Sequence, residues 1–278
     1  MRNALSIDVE EYFQVGAFET VLDRADWDRH ESRVEEATDR ILALLADRRV
    51  HATFFVLGWI AERHPALIAR IAAGGHEVAS HGWDHARVFT LTADAFRDDL
   101  RRARATIEDA AGTAVTGYRA PSFSIDQRTP WAHPILAEEG YAYSSSVAPI
   151  AHDHYGWREA PRFAWRPVAG SPLVELPVTT VELAGHRFAA AGGCFFRLYP
   201  YALSRWAVRR LNTSDHRPAV VYLHPWEVDP GQPRIAGAPL KSRLRHYSRL
   251  GAMEAKLARL VDDFAWGRVD AVVAAEAA

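Results

Sequence analysis

Short β-branched or aromatic runs alternate with helical periodicity along almost the whole chain, and that alternation restricts it to a parallel α/β architecture, a barrel or an open sheet. Ala4–Val9 reads as the first strand. Val34, Ala37, Ile41, Leu44 and Leu45 then recur on one face of a helix, with Ser32-Arg33-Val34-Glu35 as its capping box. Ala52–Leu57 is nearly all apolar and reads as a strand buried on both faces, followed by a helix to Ala73 that stops at Gly74-Gly75. Further strands are expected at Glu77–Ser80, Val115–Arg119, Tyr141–Ser145, Leu173–Val178 and Ala219–His224. The helices between them run from Thr92 to Gly112, up to Gly140 and over Tyr201–Leu211, and a last one covers Ala252–Phe264. Asn212–Pro218 and Asp229–Pro239 read as loops, and Ala148–Pro172 as a long irregular insertion. About seven strand–helix units with no low-complexity linker predict one domain over residues 1–278.

Composition excludes several classes. With 49% hydrophobic and 24% charged residues in a chain of 278, there is enough apolar side chain for a real core. A net charge of −2 offers no electrostatic footprint for nucleic acid or an anionic surface. The single cysteine, Cys194, rules out an internal disulfide framework and any multi-cysteine metal site. The apolar stretch Ala52–Ala61 is about half the ~20 residues a membrane span needs. With no apolar leader before Leu5, the expected location is the cytoplasm.

In parallel α/β folds the reactive groups sit where strands end. The first strand ends in Asp8-Val9-Glu10, whose spacing of two puts both carboxylates on one side. They are either a capping acid with a solvated neighbour or a base beside a metal ligand. Ser80-His81-Gly82-Trp83-Asp84-His85 follows another strand, and histidines four apart share one face of a helical turn. Two histidines and a carboxylate form a set that holds a metal with open positions. Arg119-Ala120-Pro121-Ser122-Phe123 closes a strand with an arginine that is either a surface charge or, beside a metal site, one half of a bidentate carboxylate pair. Tyr222-Leu223-His224-Pro225-Trp226-Glu227 closes another, with a histidine placed as a structural residue or a general acid. Tyr12, Trp83 and Trp226 flank these motifs, as sugar-stacking faces or as ordinary packing.

The order SIDVEEYF, SHGWDH, YRAPSF, YLHPWE resembles the polysaccharide deacetylase family (NodB homology, carbohydrate esterase family 4). Within it, the stretches Gly140–Val147, Glu175–Gly185, Gly192–Ala207 and His224–Arg234 resemble the branch found with exosortase/PEP-CTERM exopolysaccharide loci. The resemblance implies a distorted (β/α)7 barrel, with the part from about 150 to 278 carrying family-specific extensions. It implies Asp8 as catalytic base, Glu10, His81 and His85 as ligands of a divalent metal, most simply Zn2+, Arg119 as the residue orienting Asp8, and His224 as catalytic acid. Tyr12, Trp83, Pro121, Ser122 and Trp226 would meet substrate, with a backbone N–H near Ser122 on the oxyanion. Three positions depart from the family pattern: the acids are spaced as Asp-Val-Glu, Ser144 replaces an aspartate, and His224 lacks an Asp-Trp pair, leaving Glu175 as its candidate partner.

The expected activity is removal of N-acetyl groups from amino sugars of an exopolysaccharide, or of a lipid- or nucleotide-linked precursor. The alternatives are a metal-independent, allantoinase-like amidohydrolase and a non-catalytic glycan-binding scaffold.

Overall fold

The computed structural model describes residues 1–151, 156–190 and 192–277. In chain order the first half comprises β1 (Asn3–Val9), α1 (Val34–Asp47), β2 (Thr53–Val56), α2 (Gly58–Arg63), α3 (Pro65–Ala73), β3 (Glu77–Ser80), α4 (Ala93–Ala111), β4 (Gly117–Tyr118), α5 (Ala132–Glu138) and β5 (Tyr143–Ser144). The second half comprises β6 (Val174–Glu175), β7 (Thr180–Leu183), β8 (His186–Ala189), α6 (Gly193–Leu198), α7 (Tyr201–Arg210), β9 (Val220–Leu223), α8 (Leu240–Tyr247), α9 (Met253–Asp263), β10 (Trp266–Gly267) and α10 (Val269–Ala277).

Seven parallel strands run in the order β9-β1-β2-β3-β4-β5-β6, and β10 joins the N-terminal end of β1. The sheet curls until Thr179, just past β6, meets β9: its N–H donates to the Val220 carbonyl at 3.3 Å, and its hydroxyl accepts from Val220 N–H at 2.7 Å. This is the distorted (β/α)7 barrel expected from the motifs.

Strand alternation sorts the side chains. On β1, Leu5, Ile7 and Val9 pack outward with Phe54, Val56 and Val78 against α1, α3 and α4, whose buried faces carry Ile41, Ile68 and Leu100. The inward set, Ala4, Phe55, Ala79, Tyr143, Val174, Val220 and Tyr222, fills the barrel. At its floor a Cβ on Gly117 would lie 2.2 Å from the Tyr143 ring, so only glycine leaves room for it. Val269, Val272 and Val273 of α10 plug that floor, and Thr53 and Glu77 accept the first N–H groups of the helix at 2.7 and 3.1 Å.

Several local expectations are corrected. Ser32 does not cap α1; its hydroxyl donates to Glu11 at 2.5 Å, and the Glu11 carboxylate takes the Arg33 and Val34 N–H groups instead. The helix expected through to Ala73 breaks at His64, because Pro65 disfavours helical backbone in the residue before it. Ala252–Phe264 is followed by β10 and α10, so it is not the last helix, and Asn212–Asp215 continues α7 as a π-type turn. The insertion 148–172 has no helix or strand among its described residues, apart from a bridge between Trp165 and Glu175. No helix among the described residues is long and apolar enough to cross a membrane.

Candidate active site

Strand register builds the site. Val9, Val56, Ser80, Tyr118, Ser144 and Glu175 form one continuous rung across six strands. The next residue on four of those strands is Glu10, His81, Arg119 or Ser145, while Leu223 lies level with Ile7 and brings His224 level with Asp8. Four widely separated motifs therefore converge at the C-terminal mouth.

Arg119 is fully buried over the Phe55 ring, its guanidinium carbon 4.1 Å from the centroid. One nitrogen, Nη1, donates to Asp8 Oδ1 at 2.6 Å and Ser6 Oγ at 2.8 Å; Nε and Nη2 donate to the Ser145 carbonyl and hydroxyl, each at 3.0 Å. The pair is thus single-pronged, not bidentate as expected. Two of the guanidinium's donors are engaged by Ser145, the residue after β5, which fixes the plane from which the third reaches Asp8.

Glu10, His81 and His85 bring one donor atom each to within 4.8 Å of one another, and all three are buried. Glu10 Oε2 lies 2.9 Å from His85 Nε2, and His224 Nε2 lies 3.6 Å from Glu10 Oε1. Burial alone would raise the Glu10 carboxyl, yet the surrounding histidines hold it down at about 2. His81 Nδ1 is 2.8 Å from the Arg119 carbonyl, which leaves Nε2 as the lone-pair nitrogen, and burial pushes this ring down to about 4. His85 Nδ1 is buried without a hydrogen-bond partner among the described residues, and Glu10 Oε2 has only the His85 ring beside it as an ion pair. A buried set of one carboxylate and two imidazoles with unsatisfied atoms fits a divalent cation such as zinc.

The two histidines do not converge through a helical turn. Residues 81–87 are irregular, with Gly82 at φ +78° and His85 at φ +60°. Asp99 of α4 holds this loop by accepting the Trp83 N–H on both carboxylate oxygens, at 3.1 and 3.3 Å. A Cβ on Gly82 would come within 3.0 Å of that carboxylate. Burial pushes the Asp99 carboxyl up to about 7, against the pull of the Trp83 N–H.

His224 is held by its own motif. Nδ1 is 3.0 Å from Glu227 Oε2, and the same oxygen accepts the His224 backbone N–H at 3.1 Å. Glu175, the candidate partner, is engaged elsewhere: it takes the Ser146 and Val147 N–H groups at 2.8 and 2.9 Å and sits 3.1 Å from His133. Trp226 stacks on His224 at 5.0 Å and 18°, and its indole N–H donates to Glu10 at 3.2 Å. Burial works against charge on His224, but Glu10 and Glu227 outweigh it and lift the ring to about 9.

The other predicted contact residues divide. Tyr12, 1% exposed, packs edge-on against Phe13 in an apolar cluster with Trp27. Trp83, 8% exposed, lies under the Arg102 guanidinium at 3.4 Å. Both are packing, without an open face for a sugar. Trp226 is in the site but stacked on both sides, on His224 and on His246. Pro121 is buried, and Ser122, half-buried at φ +55°, sits in a turn closed by Phe123 N–H on the Ala120 carbonyl. A groove of about 430 Å³ opens at His85 between the 13–27 segment and Arg87. Glu227, Asp99 and Ser145 were missed from sequence; only Glu227 carried a signal, three residues beyond the histidine it caps.

Residues 26–143 match the family model for polysaccharide deacetylases. That segment is similar to the polysaccharide deacetylase family. Residues 145–274 match a domain of unknown function, DUF3473. A chitooligosaccharide deacetylase of Rhizobium leguminosarum bv. trifolii is 40% identical over 73 residues, 26% of this chain and 34% of the relative. A peptidoglycan-N-acetylglucosamine deacetylase of Bacillus cereus is 33% identical over 98 residues, 35% and 36% of the two chains. The chain thus spans about a third of the length of each of these relatives. An inferred polysaccharide deacetylase from Mycobacterium smegmatis, solved as a crystal structure, superposes over 98% of this chain and 88% of its own with a TM-score of 0.63 at 25% identity.

Proposed function

We propose that this polysaccharide deacetylase homologue is a metal-dependent hydrolase that removes N-acetyl groups from the amino sugars of an exopolysaccharide or its precursor. The observation that carries the reading is the placement of a guanidinium-held carboxylate, Asp8, and a carboxylate-held imidazole, His224, around the Glu10/His81/His85 trio. The relatives named for deacetylation of chitooligosaccharide and peptidoglycan support the reaction class. Residues 1–278 would act as one domain, since β9 from the second matched segment pairs with β1.

Glu10, His81 and His85 would hold the cation, zinc by its donor chemistry, which when bound supplies Lewis acidity and a more acidic water. Asp8, with Oδ1 fixed by Arg119, takes the proton of the attacking water on Oδ2. The backbone N–H of Ser122 would meet the oxyanion; the Ala120 and Phe123 N–H groups are engaged by Ser146 Oγ and the Ala120 carbonyl, and Pro121 has none. His224 gives the proton on Nε2 to the leaving nitrogen as the C–N bond breaks and acetate departs.

The test is metal content of the purified protein, paired with acetate release from chitooligosaccharides before and after chelation. About one zinc or similar ion per chain, with activity lost on chelation and restored by metal, is expected. Retained activity in chelator would overturn the metal role, and metal-loaded protein that releases no acetate from any amino-sugar polymer would overturn the substrate.

A further inference from the structure

The catalytic-acid side of the site contains a second buried charge that the reaction above leaves unused. Arg197 of α6 is fully buried, as is Glu227. Its Nη1 donates to Glu227 Oε1, Nε to the Ser248 carbonyl at 3.0 Å, and Nη2 to the Arg245 carbonyl. The guanidinium fork is thereby fixed on three sides, and the Glu227 carboxylate is fixed with it. The remaining oxygen of Glu227 accepts both the backbone N–H and the ring Nδ1–H of His224. A buried ion pair adds little net stability compared with apolar packing of the same volume. A purely structural strut therefore leaves the charges unexplained, whereas an arrangement that dictates which ring nitrogen carries the outward proton needs them.

We infer that Arg197 is a positioning residue acting through Glu227, and that supplying the acid histidine together with this support is a function of the segment of unknown function. The inference rests on the deacetylase reading. Arg197 touches neither substrate nor metal; it orients the carboxylate that holds His224 with Nε2 toward the leaving group. When an N-acetyl bond breaks, its electron pair goes to nitrogen and the amine must receive the His224 proton. The imidazole left neutral then recovers a proton from water. An aryl acetate breaks to a phenolate, which departs without that proton.

The leaving group therefore separates positioning from general damage. Arg197→Met, Glu227→Gln and the double variant are assayed as metal-loaded full-length protein on an N-acetylated chitooligosaccharide and on an aryl acetate, with metal content and melting temperature measured alongside. Expected is a fall in kcat of about 100-fold on the oligosaccharide, less than about 3-fold on the aryl ester, unchanged metal content, and a double variant no worse than Glu227→Gln alone. Arg197→Met by itself leaves a carboxylate buried without its partner and is the variant at risk of unfolding; the double variant removes both charges. Equal losses on the two substrates, or a double variant within about 3-fold of wild type on the oligosaccharide, would overturn the inference. Wild type is assayed first, so protein inactive on N-acetyl substrates refutes the deacetylase reading itself and removes the basis of this one.

Discussion

Asp99 offers a measurement of how much the loop carrying His81 and His85 costs the fold. Its carboxylate accepts the Trp83 N–H while burial lifts it from 3.8 to about 7. The folded chain therefore binds this proton more tightly than the unfolded chain between about pH 4 and 7. The sign follows: the contribution is fully present below about pH 4, falls as pH rises, and is lost above 7. At ~1.4 kcal/mol per pH unit, the two units from pH 5 to pH 7 amount to about 2.8 kcal/mol. Partial access of water to the side chain reduces that to about 2 kcal/mol. Asp99→Asn keeps an acceptor for Trp83 and has no proton to lose. Urea melts of both proteins at pH 5, 6, 7 and 8 should show the variant gaining about 2 kcal/mol on wild type across the series, most of it by pH 7. A difference that stays constant with pH would refute the reasoning, because it would mean that Asp99 ionises in the fold as readily as in water.

Three further outcomes are expected. Glu10→Ala or His85→Ala should lower zinc affinity by at least about 100-fold and abolish metal-dependent thermal stabilisation, measured by competition with a chelating dye and by melting with and without zinc. Arg119→Met should reduce kcat by about 100- to 1,000-fold with metal content unchanged, since it frees Asp8 without touching the Glu10 trio; unchanged kcat would remove Asp8 from the mechanism. The pH–rate profile should be bell-shaped, with an alkaline limb below about 9 as His224 loses its proton, because a cation at Glu10 withdraws part of the support that lifts the free ring to that value; a flat rate from pH 5 to 9 would refute the assignment.

What could be read in the sequence was whatever depended on local alternation. The expected strand ends at Val9, Ser80, Arg119 and His224 lie within one residue of the observed ones, and the register that aligns them places the motif residues at one mouth. What could not be read was decided by partners distant in the chain. Ser32 and Glu35 have the pattern of a capping box, but Glu11, 22 residues upstream of Arg33, reaches the helix end first. Glu175 looked available to His224 because both close strands, yet the backbone of Ser146 and Val147 claims it. Tyr12 and Trp83 border the motifs in sequence while their rings turn into apolar clusters, an orientation that spacing does not reveal. The plug formed by α10 was missed because its Val- and Ala-rich sequence has no amphipathic stripe: it is buried among barrel side chains rather than laid on a surface.

The guanidinium of Arg119 bears on how this chain can be divided. The two matched segments meet between residues 143 and 145, and Arg119 reaches across that border, to Asp8 and Ser6 on one side and to Ser145 on the other. A fragment ending at the border would keep the base and the three candidate ligands. It would also strand a buried cation with half its acceptors gone and bare the edge of β1 that β9 covers. The junction that divides the sequence into two named parts is, in three dimensions, a load path through one side chain, and a fragment cut there is expected to lose the fold around Asp8.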